Sequence, residues 1–205
     1  LTSALQTSRI DEVRKLDVPD LRGRLAFLAP ALSDDPGTKV LLLEAGKSDR
    51  HPWISLPLKF RDLMTVKRWN WGYDTEPEPH LDNRSIYVPR GRVLGGSSSI
   101  NAMLYLRGQA RDYDEWARVT GDDGWAWRNV LPVFKKSEDH WRGAAELHGA
   151  GGEWRVEQQR LSWEILDAFR DAAVEAGVAK VEDFNTGNNA GSSRFEVNQR
   201  RGVRV

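Results

Sequence analysis

Apolar positions along this chain come in short runs separated by dense turn signals. Residues 39–46 read KVLLLEAG. Four consecutive apolar residues bounded by turn residues predict a strand buried on both faces, as in a parallel sheet. Upstream, residues 9–17 mix charge with apolar residues and show no helical stripe. Residues 25–32 turn apolar but are interrupted by Pro30, and Ser-Asp-Asp-Pro-Gly at 33–37 is a dense turn signal. Residues 50–92 are rich in Pro, Trp, Tyr and Asn, so only short strands such as 85–88 are expected there. A long irregular segment in a compact domain is usually functional.

Beyond residue 108 the period changes to that of helices. Residues 112–118 open with acids that suit a helix N-terminus. Residues 127–137 place Val130, Leu131 and Phe134 on one face, with Pro132 expected near the first turn. EWRVE at 153–157 alternates as a strand does. Ser162 is the expected N-cap of a helix whose stripe runs Ile165, Leu166, Phe169, Ala172, Ala173 and Ala176, closed by Gly177. From Val181 the chain is rich in Asn and Gly, then basic, and no terminating element is predicted. Its Arg200, Arg201 and Arg204 could form an anion patch or a solvated end.

Composition narrows the function classes. The chain has 205 residues, with Lys plus Arg 30 and Asp plus Glu 30. This balance supplies no bulk field for nucleic acid. There is no cysteine, which excludes disulfide scaffolds, thiolate metal sites and a cysteine nucleophile. No apolar run reaches the roughly 20 residues of a membrane span. The opening LTSALQTSRIDEVRKL carries charge where a signal peptide would be apolar. The expected location is cytoplasmic, with association at a membrane surface left open. One count is odd: Trp occurs nine times, seven of them between Trp53 and Trp141.

The chemistry concentrates in Pro89-Arg90-Gly91-Arg92-Val93-Leu94-Gly95-Gly96-Ser97-Ser98-Ser99-Ile100-Asn101. Glycines allow close backbone approach to a ligand. Successive small residues present N–H groups and hydroxyls to phosphate or ring oxygens. Arg90 and Arg92 add charge suited to pyrophosphate. Read alone, GGSSS could equally be a Gly/Ser loop with solvated arginines. Glu44 is likewise open between a solvated carboxylate at a strand end and the ribose-binding acid of a dinucleotide fold.

This stretch resembles the first signature of the glucose-methanol-choline oxidoreductases, the FAD-dependent alcohol oxidases and dehydrogenases. Gly91, Arg92, Leu94, Gly95, Gly96, Ser97, Ser98, Ile100, Asn101, Tyr105, Gly108 and Asp114 fall where that signature expects them. The flanks agree: LSDDPGTKVLLLEAGKSD, NWGYDTEPEPHLDNRSIYVPRG, RDYDEWA, HGAGGEWRV and EAGVAKVEDFNTGNNAG. The resemblance runs from about Leu32 to Arg204 and is nearest the choline dehydrogenase-like branch. It implies an α/β fold: an incomplete FAD-binding Rossmann-like domain plus the start of a substrate-domain sheet.

Site roles follow from the resemblance alone. Glu44, with Ala45 beside it, would meet the adenosine ribose. Arg90, Val93, Gly95, Gly96, Ser97 and Asn101 would line the FAD, with the glycines and Ser97 near the pyrophosphate. The backbone from Ile100 to Ala102 would lie near the flavin ring. Some members carry a histidine bonded to the flavin where Ile100 stands here, so the FAD is expected to be non-covalent. Trp71 would lie near the cofactor or serve as an ordinary aromatic core residue.

The chain departs from the family at two places. The family's opening strand and GxGxxG loop should fall near residues 20–25, where this chain reads Asp20-Leu21-Arg22-Gly23-Arg24-Leu25. Residues 1–28 are therefore read as an atypical segment replacing that strand and loop, through a frame change or a misassigned start. Flanking coding sequence with no GxGxxG in any frame would sink the frame-change idea. Residues 29–150 are read as a partial FAD-binding domain and 151–205 as the truncated start of the substrate-domain region. The family's catalytic His–His or His–Asn pair follows the matched stretch, so no catalytic residue is assigned. His148 is placed in the HGAGG turn, while His51, His80 and His140 are expected at the surface. His and acid spacings suggest no metal site.

The leading reading is a partial FAD-dependent oxidoreductase acting on a small-molecule alcohol, choline-like, with the electron acceptor unspecified by any motif. Two alternatives stand beside it: an inactive remnant with weak or no flavin binding, and an interaction module using the Trp-rich region.

Overall fold

The computed structural model describes residues 36–37, 39–42 and 44–205. Two short helices, α1 (Pro52–Ser55) and α2 (Phe60–Thr65), come first among the described elements. A small antiparallel ladder follows, with β1 (Tyr73–Asp74) paired to β2 (Tyr87–Val88). Next come β3 (Leu104–Tyr105), α3 (Ala110–Thr120), α4 (Trp127–Ser137) and β4 (Glu138–His140). β5 (Trp154–Gln158), α5 (Glu164–Glu175), β6 (Glu196–Val197), β7 (Gln199–Arg200) and β8 (Val203–Arg204) complete the order. The expected α/β class is what the structure shows.

The central sheet runs β3–β6–β5–β4. β3 and β5 flank β6 antiparallel, and β4 lies parallel to β5. It therefore draws β3 and β4 from the 29–150 segment and β5 and β6 from 151–205. Leu63, Val93, Ile100, Ile54 and Trp69 form a buried cluster that supports the 91–101 segment from below. Each such fully buried aliphatic contributes on the order of 1.5–3 kcal/mol.

Several elements differ from expectation. The strand at 39–46 does not form among the described residues, and Val40 and Leu41 are exposed. A doubly buried strand needs a neighbour on each side. The only pairing described near it is an isolated parallel bridge, Lys47 to Val93. The 20–25 segment, the residues 9–17 and the apolar run 25–32 lie outside the described residues.

Pro132 sits in the second turn of α4, not the first. Both Pro132 and Arg128, whose carbonyl loses its helical donor, are exposed, which leaves the site on the solvent side of the helix. Ser162 does not cap α5. The helix starts one residue later, with Trp163 at the cap, and Ser162 Oγ instead accepts from Arg194, which also grips Asp167 in the first turn. Gly177 closes that helix in the left-handed region as expected.

The basic tail, expected to end without an element, forms a β7–β8 hairpin. Its two-residue turn, Arg201-Gly202, has both residues at positive φ (54° and 80°), which matches the right-handed twist of the flanking strands. Most of the Trp residues between Trp53 and Trp141 divide between two places. Tyr113, Trp116, Trp125, Trp127 and Phe134 pack ring against ring between α3 and α4, and only Trp69 and Trp71 border the 90–92 segment.

Candidate functional site

Two separate segments converge on residues 90–102. The 69–73 segment is fixed by backbone bonds: Trp71 N–H donates to Arg90 O (2.9 Å), and Arg92 N–H donates to Trp69 O (2.8 Å). Buried Asn70 completes the joint, its Oδ1 accepting from the N–H of Gly72 (2.9 Å) and of Arg90 (3.0 Å). The 44–47 segment arrives through Leu94 N–H donating to Lys47 O (2.9 Å). That contact sets Glu44 and Ala45 next to the glycine turn.

The turn itself is built by its small residues. Gly95 (φ 88°) and Gly96 (φ 58°) both adopt left-handed backbone, which costs a residue with a Cβ roughly 1–2 kcal/mol. Gly96 N–H closes the turn onto Val93 O (2.7 Å), and a single 3₁₀ turn, Gly96–Ser99, follows. Gly91 passes so close that a Cβ on it would collide with the backbone of Gly96 and Ser97. Gly91 N–H donates to Ser97 Oγ (3.1 Å), and Ser99 Oγ donates to Leu94 O (2.8 Å), so the hydroxyls hold the loop to itself.

The outer side of this turn is open. Nothing lies within 4 Å of where a Cβ on Gly96 would project. Among the described residues, the backbone N–H groups of Ser97 and Ala102 donate to no protein acceptor. Open space beside a turn that carries unpaired N–H donors suits the oxygens of a pyrophosphate or a flavin ring. This part of the chain therefore fits the cofactor that its sequence resemblance implies.

The other expected residues fall as follows. Glu44 is half-buried, and its Oε1 accepts from Gly46 N–H (2.7 Å). Arg90 is exposed, with Nη1 folded back onto Pro89 O (2.9 Å). Val93 is fully buried and acts as the floor of the turn. Asn101 Oδ1 accepts from Met103 N–H (2.9 Å) and holds Met103 at a positive φ of 63°. Trp71 is 42% exposed, stacked on Tyr73 (5.9 Å) with the Arg92 guanidinium over it (5.5 Å). The core-residue alternative for Trp71 is thus overturned.

A second cluster lies beyond β3 and was not foreseen. Arg107 Nη2 donates to Glu138 Oε1 (2.8 Å), and both side chains are essentially solvent-free. Glu138 Oε2 also accepts from Gly149 N–H (2.7 Å) and His148 Nδ1 (3.1 Å). The other nitrogen of His148 donates to Asp183 Oδ2 (2.6 Å). Beside it, stacked at 3.7 Å, His140 Nε2 faces Glu196 Oε2 (2.9 Å).

Burial by itself would lower the His148 pKa. The hydrogen bonds and charges of Asp183 and Glu138 outweigh that and raise it to about 9. For Asp183, burial pushes upward, but the bonds from His148 and Asn185 N–H bring its pKa down to about 2. Glu138 is held below the usual carboxylate range in the same way: burial opposes, and His148, Gly149 N–H and Arg107 prevail.

His140, expected at the surface, is therefore buried, and His51 is half-buried against Trp69 (4.7 Å). The spacings suggested no metal site, yet Glu138, His140 and His148 have ligand atoms within 4.8 Å of one another. Arg107 and the doubly donating His148 already occupy the directions in which Glu138 would meet a cation. The three tail arginines do not form one patch, since Arg204 points inward onto main-chain carbonyls while Arg200 and Arg201 are exposed.

A family profile described as GMC oxidoreductase matches residues 18–205, beginning upstream of Leu32. An oxygen-dependent choline dehydrogenase from Sinorhizobium fredii is 41% identical over 177 residues, covering 86% of this chain and 32% of the relative. One from Rhizobium etli is 43% identical over 169 residues, covering 82% and 31%. Among solved structures, pyridoxine 4-oxidase from Mesorbium loti superimposes with TM-score 0.83 at 35% identity, covering 89% of this chain and 36% of that one. Aspergillus oryzae formate oxidase, solved in a study of its FAD modification, gives TM-score 0.73 at 28% identity, covering 86% and 33%. The chain spans about a third of the length of the curated relatives it matches.

Proposed function

Because this chain belongs to the GMC oxidoreductases, an FAD-dependent family, we propose that it supplies the flavin-holding turn of an enzyme oxidising the CH–OH of a small primary alcohol. Choline is the favoured class of substrate, on the strength of the named relatives at 41–43% identity. The observation that carries the reading is the open Gly95–Gly96 turn with its unpaired Ser97 and Ala102 N–H groups.

Bound FAD supplies the hydride acceptor. This chain's residues hold it. Ser97 N–H and the glycine backbone would hold the pyrophosphate oxygens, Glu44 would accept from the ribose hydroxyls beside Ala45, and Ala102 N–H would donate to the ring. Arg90, exposed beside Pro89, would add charge for the phosphates, and Trp71 would lie on one flank. Ile100, buried at 2% exposure, offers no nucleophile, so the FAD is held without a covalent bond. Residues 29–150 carry the flavin-facing loops, and 151–205 begin the substrate-domain sheet through β5 and β6. Residues 1–28 are read as the atypical segment, of which the family profile matches the part from residue 18 onward.

The test is anaerobic mixing of the full-length flavoprotein with choline and with simple primary alcohols. Bleaching of the flavin absorbance by choline is the expected result. Bleaching by none of these alcohols would sink the reading.

A further inference from the structure

We propose that Arg204 is a positioning residue for the flavin-facing turn, a role that rests on the flavin reading above. The β7–β8 hairpin places it. The Arg201-Gly202 turn fixes the register Gln199 to Arg204, and this carries the arginine back under residues 98–101.

Four hydrogen bonds define its guanidinium. Nε donates to Ile54 O (2.9 Å), Nη1 to Ser98 O (2.9 Å) and Asn101 Oδ1 (2.8 Å), and Nη2 to Asn101 O (2.7 Å). Only a planar fork with several fixed donors can meet these acceptors together, because a lysine ammonium is a single point. The side chain therefore ties three separated parts of the chain: the end of α1, the 3₁₀ turn and the hairpin.

The consequence for ligand binding follows from peptide geometry. A trans peptide directs its carbonyl and its N–H to opposite sides. With Asn101 O held by Arg204, the N–H of Ala102 must face away, to the side where no protein acceptor meets it. The positive charge on the carbonyl side also polarises the Asn101–Ala102 peptide and strengthens that N–H as a donor. Asn101 Oδ1, shared between Arg204 and Met103 N–H, stops the same peptide from flipping. Arg204 thus aims a backbone donor at the cofactor without touching it. A cation behind that peptide also favours the more negative, reduced flavin.

The experiment uses the full chain with FAD and compares wild type, Arg204→Lys, Arg204→Gln and, as control, Arg200→Gln, an exposed arginine of the same hairpin. FAD affinity is read by fluorescence titration, and the reduction potential and visible circular dichroism of the flavin are read at saturating FAD. Loss of charge-assisted bonds predicts roughly tenfold to hundredfold weaker FAD binding for Arg204→Gln, with a lowered potential. Arg204→Lys should keep most of the potential but shift the visible dichroism, and Arg200→Gln should match wild type. If Arg204→Gln fails to fold, Arg204→Lys decides through its dichroism. Folded Arg204 variants with wild-type affinity, potential and dichroism overturn the proposal while leaving the flavin reading intact. A wild-type chain that binds no FAD overturns that reading, and the proposal with it.

Discussion

Two glycines of the candidate turn do opposite jobs, and substitution separates them. A Cβ at Gly91 meets the Gly96 and Ser97 backbone, which cannot give way cheaply. A Cβ at Gly96 meets open space and carries only the strain of a positive φ, about 1–2 kcal/mol. Gly91→Ala should therefore lower the unfolding midpoint sharply, and Gly96→Ala only slightly. The cost to FAD should run the other way for a given loss of stability, since the Gly96 methyl would stand in the ligand's space. Melting curves and FAD titration of both variants check this. A Gly96→Ala protein that keeps wild-type affinity would contradict the placement of the cofactor over this turn. At this scale much was legible: the run of glycines and serines announces close approach, and Ile100 announces the absence of a flavin linkage. The inward turn of Arg204 was not, because a basic tail looks solvated until a hairpin folds it back.

The elements are joined by the buried ionic cluster. Arg107 follows β3, Glu138 and His140 form β4, His148 sits in the connection to β5, and Asp183 and Glu196 come from the last third of the chain. Removing Arg107 or Glu138 leaves its fully buried partner's charge without its counterion, at a cost of about 3–5 kcal/mol.

The pH dependence follows from His148. Its pKa is raised from 6.5 to about 9, so its contribution is complete below about 6.5 and is lost as pH rises through 9. Asp183 acts on the acid side: its contribution is present above about 3.8 and is lost as pH falls through about 2. Denaturant unfolding should show a loss of about 3 kcal/mol between pH 6 and pH 9.5, and His148→Gln should be less stable but nearly flat over that range. Equal slopes in the two proteins would refute the imidazolium assignment. None of this was readable from spacing. Glu138 and His148 are ten positions apart in sequence, and their meeting depends on β4 lying parallel to β5 and on a loop more than thirty residues further on. The strand expected at 39–46 failed for a related reason: its composition describes burial, but pairing partners decide it.

For the whole molecule, the question is whether the Gly95–Gly96 turn and the segments packed around it amount to a cofactor site. The balanced charge gives no general anion attraction, so the proposed FAD affinity would come from local groups: the Ser97 and Ala102 N–H donors, the Glu44 carboxylate as acceptor, and Arg90. Among the described residues no helix is long and apolar enough to cross a membrane. The family and fold class were legible from the Gly91–Asp114 signature positions because many fixed residue types at fixed spacing demand one backbone path. The most direct test is equilibrium titration of the full chain with FAD, followed by acid precipitation. Saturation near one FAD per chain, with free FAD recovered in the supernatant, is the predicted result. No saturable binding, or flavin retained by the precipitated protein, would contradict a non-covalent flavin site built on this turn.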